Sequence, residues 1–228
     1  MGILVGIDGT GSAFNPGAAR DAAYDIAFAN SFVRRICNAG GPHAKYLRGP
    51  VALGGGLVDA INTGFAHIQS KQTAGVTDPV LLTGYSRGAA GVVALAAKLK
   101  DAGIPVRALL LFDCVDRHLF IDSEEIPNNV HYVFHVVRDP DSSSRESFGN
   151  DAMRYRSPTV YPAAYKFMCT HGGMGGCPWV PGDDQTMASL IDEGGYDGIT
   201  NITFQQDASV SGQVWRFVQT FIRRHRFI

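Results

Sequence analysis

The chain has 228 residues, of which 45% are hydrophobic and 18% charged, a balance that supplies a packed core and argues against disorder. Its length suits one sizeable domain. The formal net charge of −1 argues against nucleic acid as an obligate partner, because phosphate binding needs a cationic surface.

In chain order, "GILVGID" is a short apolar run that reads as a buried strand, ended by the turn "DGTG". Across residues 18–37 the spacing of Ala22, Ile26, Ala29, Phe32, Val33 and Ile36 predicts one amphipathic helix, closed by "NAGG". "AKYLRG" is a short strand, "GPVALGGG" a loop, and residues 57–71 are helical again by spacing. "PVLLTG" is a strand, and "RGAAGVVALAAKLKDAG" an alanine-rich helix ending at Gly103. "VRALLLFD" and "VHYVFHVV" are two further strands, with the near-continuous apolar character of a parallel sheet covered on both faces. After Arg138 the chain is polar and loop-rich to about residue 185, and "VSGQVWRFVQTFIRRH" is a final amphipathic helix. Its basic end "RRHR" complements the helix dipole. Alternation of this kind predicts an open, mostly parallel α/β sheet between helical layers.

The N-terminus lacks the basic region of a signal peptide, and no run is long and apolar enough to span a membrane. The cysteines Cys37, Cys114, Cys169 and Cys177 form no C-x-x-C pair, so a structural zinc site is not expected. Cys169 and Cys177 bracket a glycine-rich loop, where two reduced thiols are the more cautious reading than a disulfide.

One turn carries the chemistry. Ser86 lies in Gly84-Tyr85-Ser86-Arg87-Gly88, directly after a strand and directly before a helix. That context makes a G-x-S-x-G sequence a nucleophile elbow rather than a run of small turn residues. The helix N-terminus aims amides, the Arg87 N–H among them, at a developing oxyanion. A serine hydroxyl needs a base, and the base an orienting acid; behind such an elbow the acid and then the histidine follow in the chain. His118, His135 and His171 come into question, and His131 and His135 read as strand residues. His171, in "CTHGGMGGC", is the expected base, because a glycine-rich loop on a rigid sheet can bring it against a substrate. For the acid, Asp113 and Asp139 both end apolar strands; Asp113 is favoured, Asp139 is the alternative, and Asp116 reads as a turn residue. Gly9 and Thr10, after the first strand, can supply a second oxyanion donor or form a plain Asx-turn. No phosphate-loop glycine spacing accompanies them.

The ordered set "GIDGTGS", "YLRGPVALGGGL", "LLTGYSRGAAG", "LLLFDCVD", "HVVRDPDSSSRESF" and "CTHGGMGG" resembles the α/β-hydrolase domain of type VI secretion phospholipase effectors and their relatives. The likeness runs from residue 3 to about 176, and the Ser-Arg-Gly-Ala form of the elbow is more specific than G-x-S-x-G alone. It implies an α/β-hydrolase three-layer sandwich and hydrolysis of carboxylic esters, phospholipid acyl esters among them, by Ser86, His171 and Asp113 without metal or organic cofactor. It also implies a small-molecule or lipid ester as substrate, with peripheral membrane contact and an immunity or secretion partner in the case of an effector. Cys114 stands where the family has Thr or Pro. A non-catalytic hydrolase-like binding module, and a thioesterase or amidase with the same residues, remain the alternatives.

Overall fold

The computed structural model describes residues 1–11, 20–51, 54–116, 121–156, 158–179 and 200–228. Its strands in chain order are β1 (Ile3–Ile7), β2 (Ala44–Leu47), β3 (Val80–Tyr85), β4 (Val106–Phe112), β5 (Glu125–Ile126), β6 (Val130–Arg138), β7 (Arg154–Tyr155) and β8 (Tyr165–Phe167). The helices are α1 (Arg20–Ala27), α2 (Phe32–Ala39), α3 (Leu57–Thr73), α4 (Arg87–Asp101), α5 (His171–Met174) and α6 (Phe204–His225). Six strands form a central sheet in the order β2-β1-β3-β4-β6-β8, every neighbouring pair parallel; β5 and β7 pair separately.

The apolar strands feed two cores. Ile3, Val5 and Ile7 of β1 pack with Leu57 and Ile61 of α3 and Val92 and Leu95 of α4. Leu4, between them, points to the opposite face, with Phe32 and Ile36 of α2 and Val218 and Ile222 of α6. Period-two alternation in a sheet covered on both sides therefore buries the apolar positions of the inner strands and builds a three-layer α/β sandwich. Each such Leu or Ile contributes roughly 1.5–3 kcal/mol by burial. Exposed ion pairs such as Arg154–Glu124 add on the order of 1 kcal/mol at most, so the two cores hold the fold.

The helix expected over residues 18–37 is two helices, α1 and α2, and its first two residues lie outside the described ones. Ser31 divides it. Its side chain accepts from the Arg34 N–H at 3.0 Å as the N-cap of α2, and its hydroxyl donates to Asp8. A redirected axis no longer keeps the predicted face, so Ile26 is 78% exposed while Phe32, Val33 and Ile36 are buried. The loop-rich stretch after Arg138 contains β8, a three-residue strand too short for a periodic signal. The final helix begins earlier than its apolar repeat, at Phe204, because Thr203 caps it by accepting from Gln206.

Strand order places the site. From β1 the chain turns to β2 on one side, while β3, β4 and β6 extend on the other. Such a reversal opens a crevice at the carboxyl ends of the two central strands. The residues after β1 and β3 are Asp8–Thr10 and Ser86.

Candidate active site

Ser86 is held in a strained turn. Its φ is 55° and ψ −129°, a region a non-glycine residue occupies only when its surroundings force it. The surroundings are the glycines on either side. A Cβ on Gly84 would meet Ala89 Cα at 2.6 Å, and one on Gly88 would meet the Asp8 carbonyl at 2.1 Å. Both G positions of G-x-S-x-G are thus required by backbone contact. The Ser86 N–H donates to Phe112 O at 3.0 Å, which ties the elbow to the end of β4.

A hydrogen-bonded chain begins at the serine. His171 Nε2 lies 2.8 Å from Ser86 Oγ, and His171 Nδ1 lies 2.7 Å from Asp113 Oδ2. A carboxylate only accepts, so Nδ1 carries the imidazole proton and Nε2 is left to accept from the serine hydroxyl. All three residues are buried, Asp113 completely. Burial lowers the His171 pKa, against the pull of Asp113, so the ring is neutral near pH 7 and competent as a base.

Asp113 has φ 47° and closes β4. Burial pushes its carboxyl pKa up, but Arg138 and His171 outweigh burial and hold it well below the usual carboxylate range. Arg138 donates to Asp113 Oδ2 through Nη1 at 2.7 Å and to Asp113 Oδ1 through its backbone N–H at 3.2 Å, and Asn150 Nδ2 reaches Oδ1 at 2.7 Å. The guanidinium is itself fixed by the carbonyls of Ser144, Arg145 and Gly149 at 2.6, 2.8 and 3.1 Å.

The His171 loop is fixed from below. Asp207 of α6 accepts from the Thr170 N–H at 2.8 Å, the Thr170 hydroxyl at 2.9 Å and the Trp179 N–H at 3.0 Å. Ser144 Oγ accepts from the His171 N–H, and the Tyr85 hydroxyl donates to the His171 carbonyl, both at 2.9 Å. Phe148 packs edge-on against the imidazole with ring centroids 5.4 Å apart.

The remaining candidates divide. Asp139 caps the turn Pro140–Ser142, accepting from Asp141 N–H at 3.1 Å, and takes no part in the His171 contacts. Asp116 accepts from Ser123 in a turn. His135 is buried in the sheet, accepts from Cys114 N–H at 3.2 Å, and burial depresses its pKa to about 4. His131 is exposed, His225 packs on Tyr132 and Phe221, and His118 lies outside the described residues. All four thiols are free, and Cys169 donates to Asp207 Oδ1 at 3.1 Å rather than pairing with Cys177. Arg87 opens α4, so its N–H lies in the first turn beside Ser86. The Gly9 N–H donates to Asp8 Oδ1 at 3.0 Å, whereas Thr10 N–H has no such partner among the described residues.

Arg138, Asn150, Ser144 and Asp207 escaped sequence reasoning. Arg138 had one usable signal: a charge closing a buried apolar strand needs an opposite charge.

Among the described residues no helix is long and apolar enough to cross a membrane. No protein-family model matches the chain, and no curated protein matches it. Solved structures do. An uncharacterized protein from Pseudomonas aeruginosa is 15% identical with a TM-score of 0.40, over 77% of this chain but 42% of that one, so the chain spans less than half of its length. A hormone-sensitive lipase from a metagenome library is 11% identical with a TM-score of 0.44, over 96% of this chain and 78% of the other. An acetyl xylan esterase is 11% identical with a TM-score of 0.34, over 97% and 98% of the two chains.

Proposed function

We propose that the chain is a serine hydrolase of carboxylic esters, working from one α/β-hydrolase domain. The observation that carries this reading is the continuous chain from Ser86 Oγ through His171 to Asp113, with links of 2.8 and 2.7 Å, on a serine held at φ 55°.

In this reading His171 Nε2 takes the Ser86 proton as Oγ attacks the ester carbonyl. The N–H groups of Arg87 and Thr10 receive the oxyanion, and Gly9 serves by shaping the turn, since its own N–H is committed to Asp8. Asp113 keeps the imidazolium oriented and balances its charge. The protonated Nε2 then donates to the departing alkoxide, and an acyl-Ser86 ester remains. His171 next activates water to hydrolyse it. No step calls for a metal or an organic cofactor.

The sequence resemblance to phospholipase effector domains makes phospholipid acyl esters the first lipid substrates to assay, and a secretion or immunity partner belongs to that same proposal. Hydrolysis of short p-nitrophenyl esters by the wild type, lost by more than about 10³-fold in Ser86→Ala, is the expected result. Equal rates in the two proteins overturn the reading. A folded wild type that neither turns over esters nor takes a fluorophosphonate on Ser86 is instead a binding module.

A further inference from the structure

The histidine is carried by a very short element. α5 holds only His171–Met174, and two of its residues are glycines, so little within it fixes the direction of the imidazole. Asp207 lies in the first turn of α6 and is wholly buried. Its carboxylate is spent on the segment around His171 and not on the amides of its own helix.

Both oxygens accept two bonds, and every donor is neutral. Oδ1 accepts from the Thr170 N–H at 2.8 Å and the Cys169 thiol at 3.1 Å; Oδ2 accepts from the Thr170 hydroxyl at 2.9 Å and the Trp179 N–H at 3.0 Å. The donors flank His171 on both sides in the chain, so one carboxylate closes the segment on itself. Gly173 permits this approach, because a Cβ there would meet Asp207 Oδ1 at 2.4 Å. One turn along α6, the Ser211 hydroxyl donates to the Gly173 carbonyl at 2.7 Å. A buried carboxylate faced by neutral groups alone is costly, so packing is a poor reason to keep it. Asparagine has the same shape without the charge. Whichever way its amide lay, however, the NH₂ would face a backbone N–H, that of Thr170 on one side or of Trp179 on the other. The position calls for a group that only accepts.

The path to the imidazole runs through Thr170. Its hydroxyl hydrogen goes to Asp207, which turns a lone pair toward the Gly173 N–H, 3.0 Å away. That bond caps α5 directly before His171.

We propose that Asp207 is a positioning residue for the base: acting through Thr170, it sets the angle from which His171 Nε2 meets Ser86 Oγ. This rests on the serine-hydrolase reading above and adds to it a residue that touches neither substrate nor the reacting atoms. An imidazole that is slightly displaced still lets an ester bind but takes the serine proton poorly, so the loss falls on kcat.

The experiment measures kcat and KM on a short p-nitrophenyl ester, in variants whose circular dichroism matches the wild type. Asp207→Asn is expected to lower kcat roughly 10- to 100-fold with KM within about threefold, and to slow fluorophosphonate labelling of Ser86 in proportion. Thr170→Val is expected to lose about tenfold in kcat, and Thr170→Ser, which keeps the hydroxyl, to return within about threefold of wild type. The double variant Asp207→Asn/Thr170→Val should be no more than about threefold below Asp207→Asn alone, because both act on one path. A folded Asp207→Asn within about twofold of wild type in kcat overturns the proposal, and so does a serine variant as impaired as valine. Fully multiplicative losses in the double variant overturn it too. Should Asp207→Asn not fold, Thr170→Val, which removes a single hydroxyl, decides by the same twofold limit. Ser86→Ala, run alongside, separates the two levels. If it is dead and Asp207→Asn is normal, only the positioning role fails; if wild type and Ser86→Ala are equally inert, the hydrolase reading fails and takes this proposal with it.

Discussion

Asp8 and Asp113 stand at the ends of β1 and β4, each wholly buried, yet their environments drive them in opposite directions. Asp113 faces a guanidinium, two further donors and the His171 ring, and its pKa is held far down. Asp8 faces neutral donors: the Ser31 hydroxyl, the Tyr46 hydroxyl at 2.9 Å and the Gly9 N–H at 3.0 Å. Burial dominates there and pushes its pKa up to about 6. Depth alone does not decide the charge of a carboxyl group. A matched cation, itself anchored, keeps Asp113 an anion that can steady an imidazolium, while two hydroxyls, an amide and the more distant Arg34 charge only partly offset burial and leave Asp8 titrating at about 6.

The comparison breaks most severely at Asp113→Asn. The amide cannot balance the imidazolium and can present its NH₂ to His171, so kcat on an activated ester should fall by about 10⁴-fold. Steady-state kinetics at pH 8 measure it, and a loss below tenfold contradicts the orienting role. Next is Arg138→Met, which leaves Asp113 buried without its cation and should lower stability by about 3–5 kcal/mol in urea denaturation at pH 7. Wild-type Asp113 has a depressed folded pKa, so its stabilisation is present above the unfolded pKa and is lost as pH falls through the folded one. In the variant the folded pKa moves up toward the unfolded one, so that acid-side loss should be smaller. The smallest effect belongs to Asp8→Asn. Because the folded pKa of Asp8 is raised, its contribution is full below the unfolded value near 3.8 and is lost as pH rises through about 6. Between pH 4 and 7 that amounts to an order of 3 kcal/mol, and Asp8→Asn should flatten the wild-type slope by about this much. Unchanged slopes in denaturation curves taken across that range would remove Asp8 from the account.

Legibility followed sequence distance. The elbow was readable because strand, serine, two glycines and helix lie within a few residues, and the strands because their apolar runs are local. Chain order only narrowed the partners of Ser86; the strand end, the glycine-rich loop and the family resemblance favoured Asp113 and His171, whose contact spans 58 residues. What stayed hidden depends on who meets whom. Helical spacing runs straight through Ser31; only its bond to Asp8, 23 residues away, shows why the helix divides there. Asp207 sits in the first turn of α6, where an acidic residue is ordinary, and nothing local announces that it carries the His171 loop 37 residues upstream. β8 is too short for periodicity to register.

The links of 85 residues from His171 to Ser86 and 58 from His171 to Asp113 also make the site depend on the whole sheet. Each member hangs from a different part of the sheet, and Gly88, lacking a Cβ, leaves room for the Asp8 carbonyl that a Cβ there would meet at 2.1 Å. A chain still being synthesised lacks these contacts. The hydrogen-bonded chain is a property of the finished sheet, present only once the ends of β3 and β4 and the His171 loop have met.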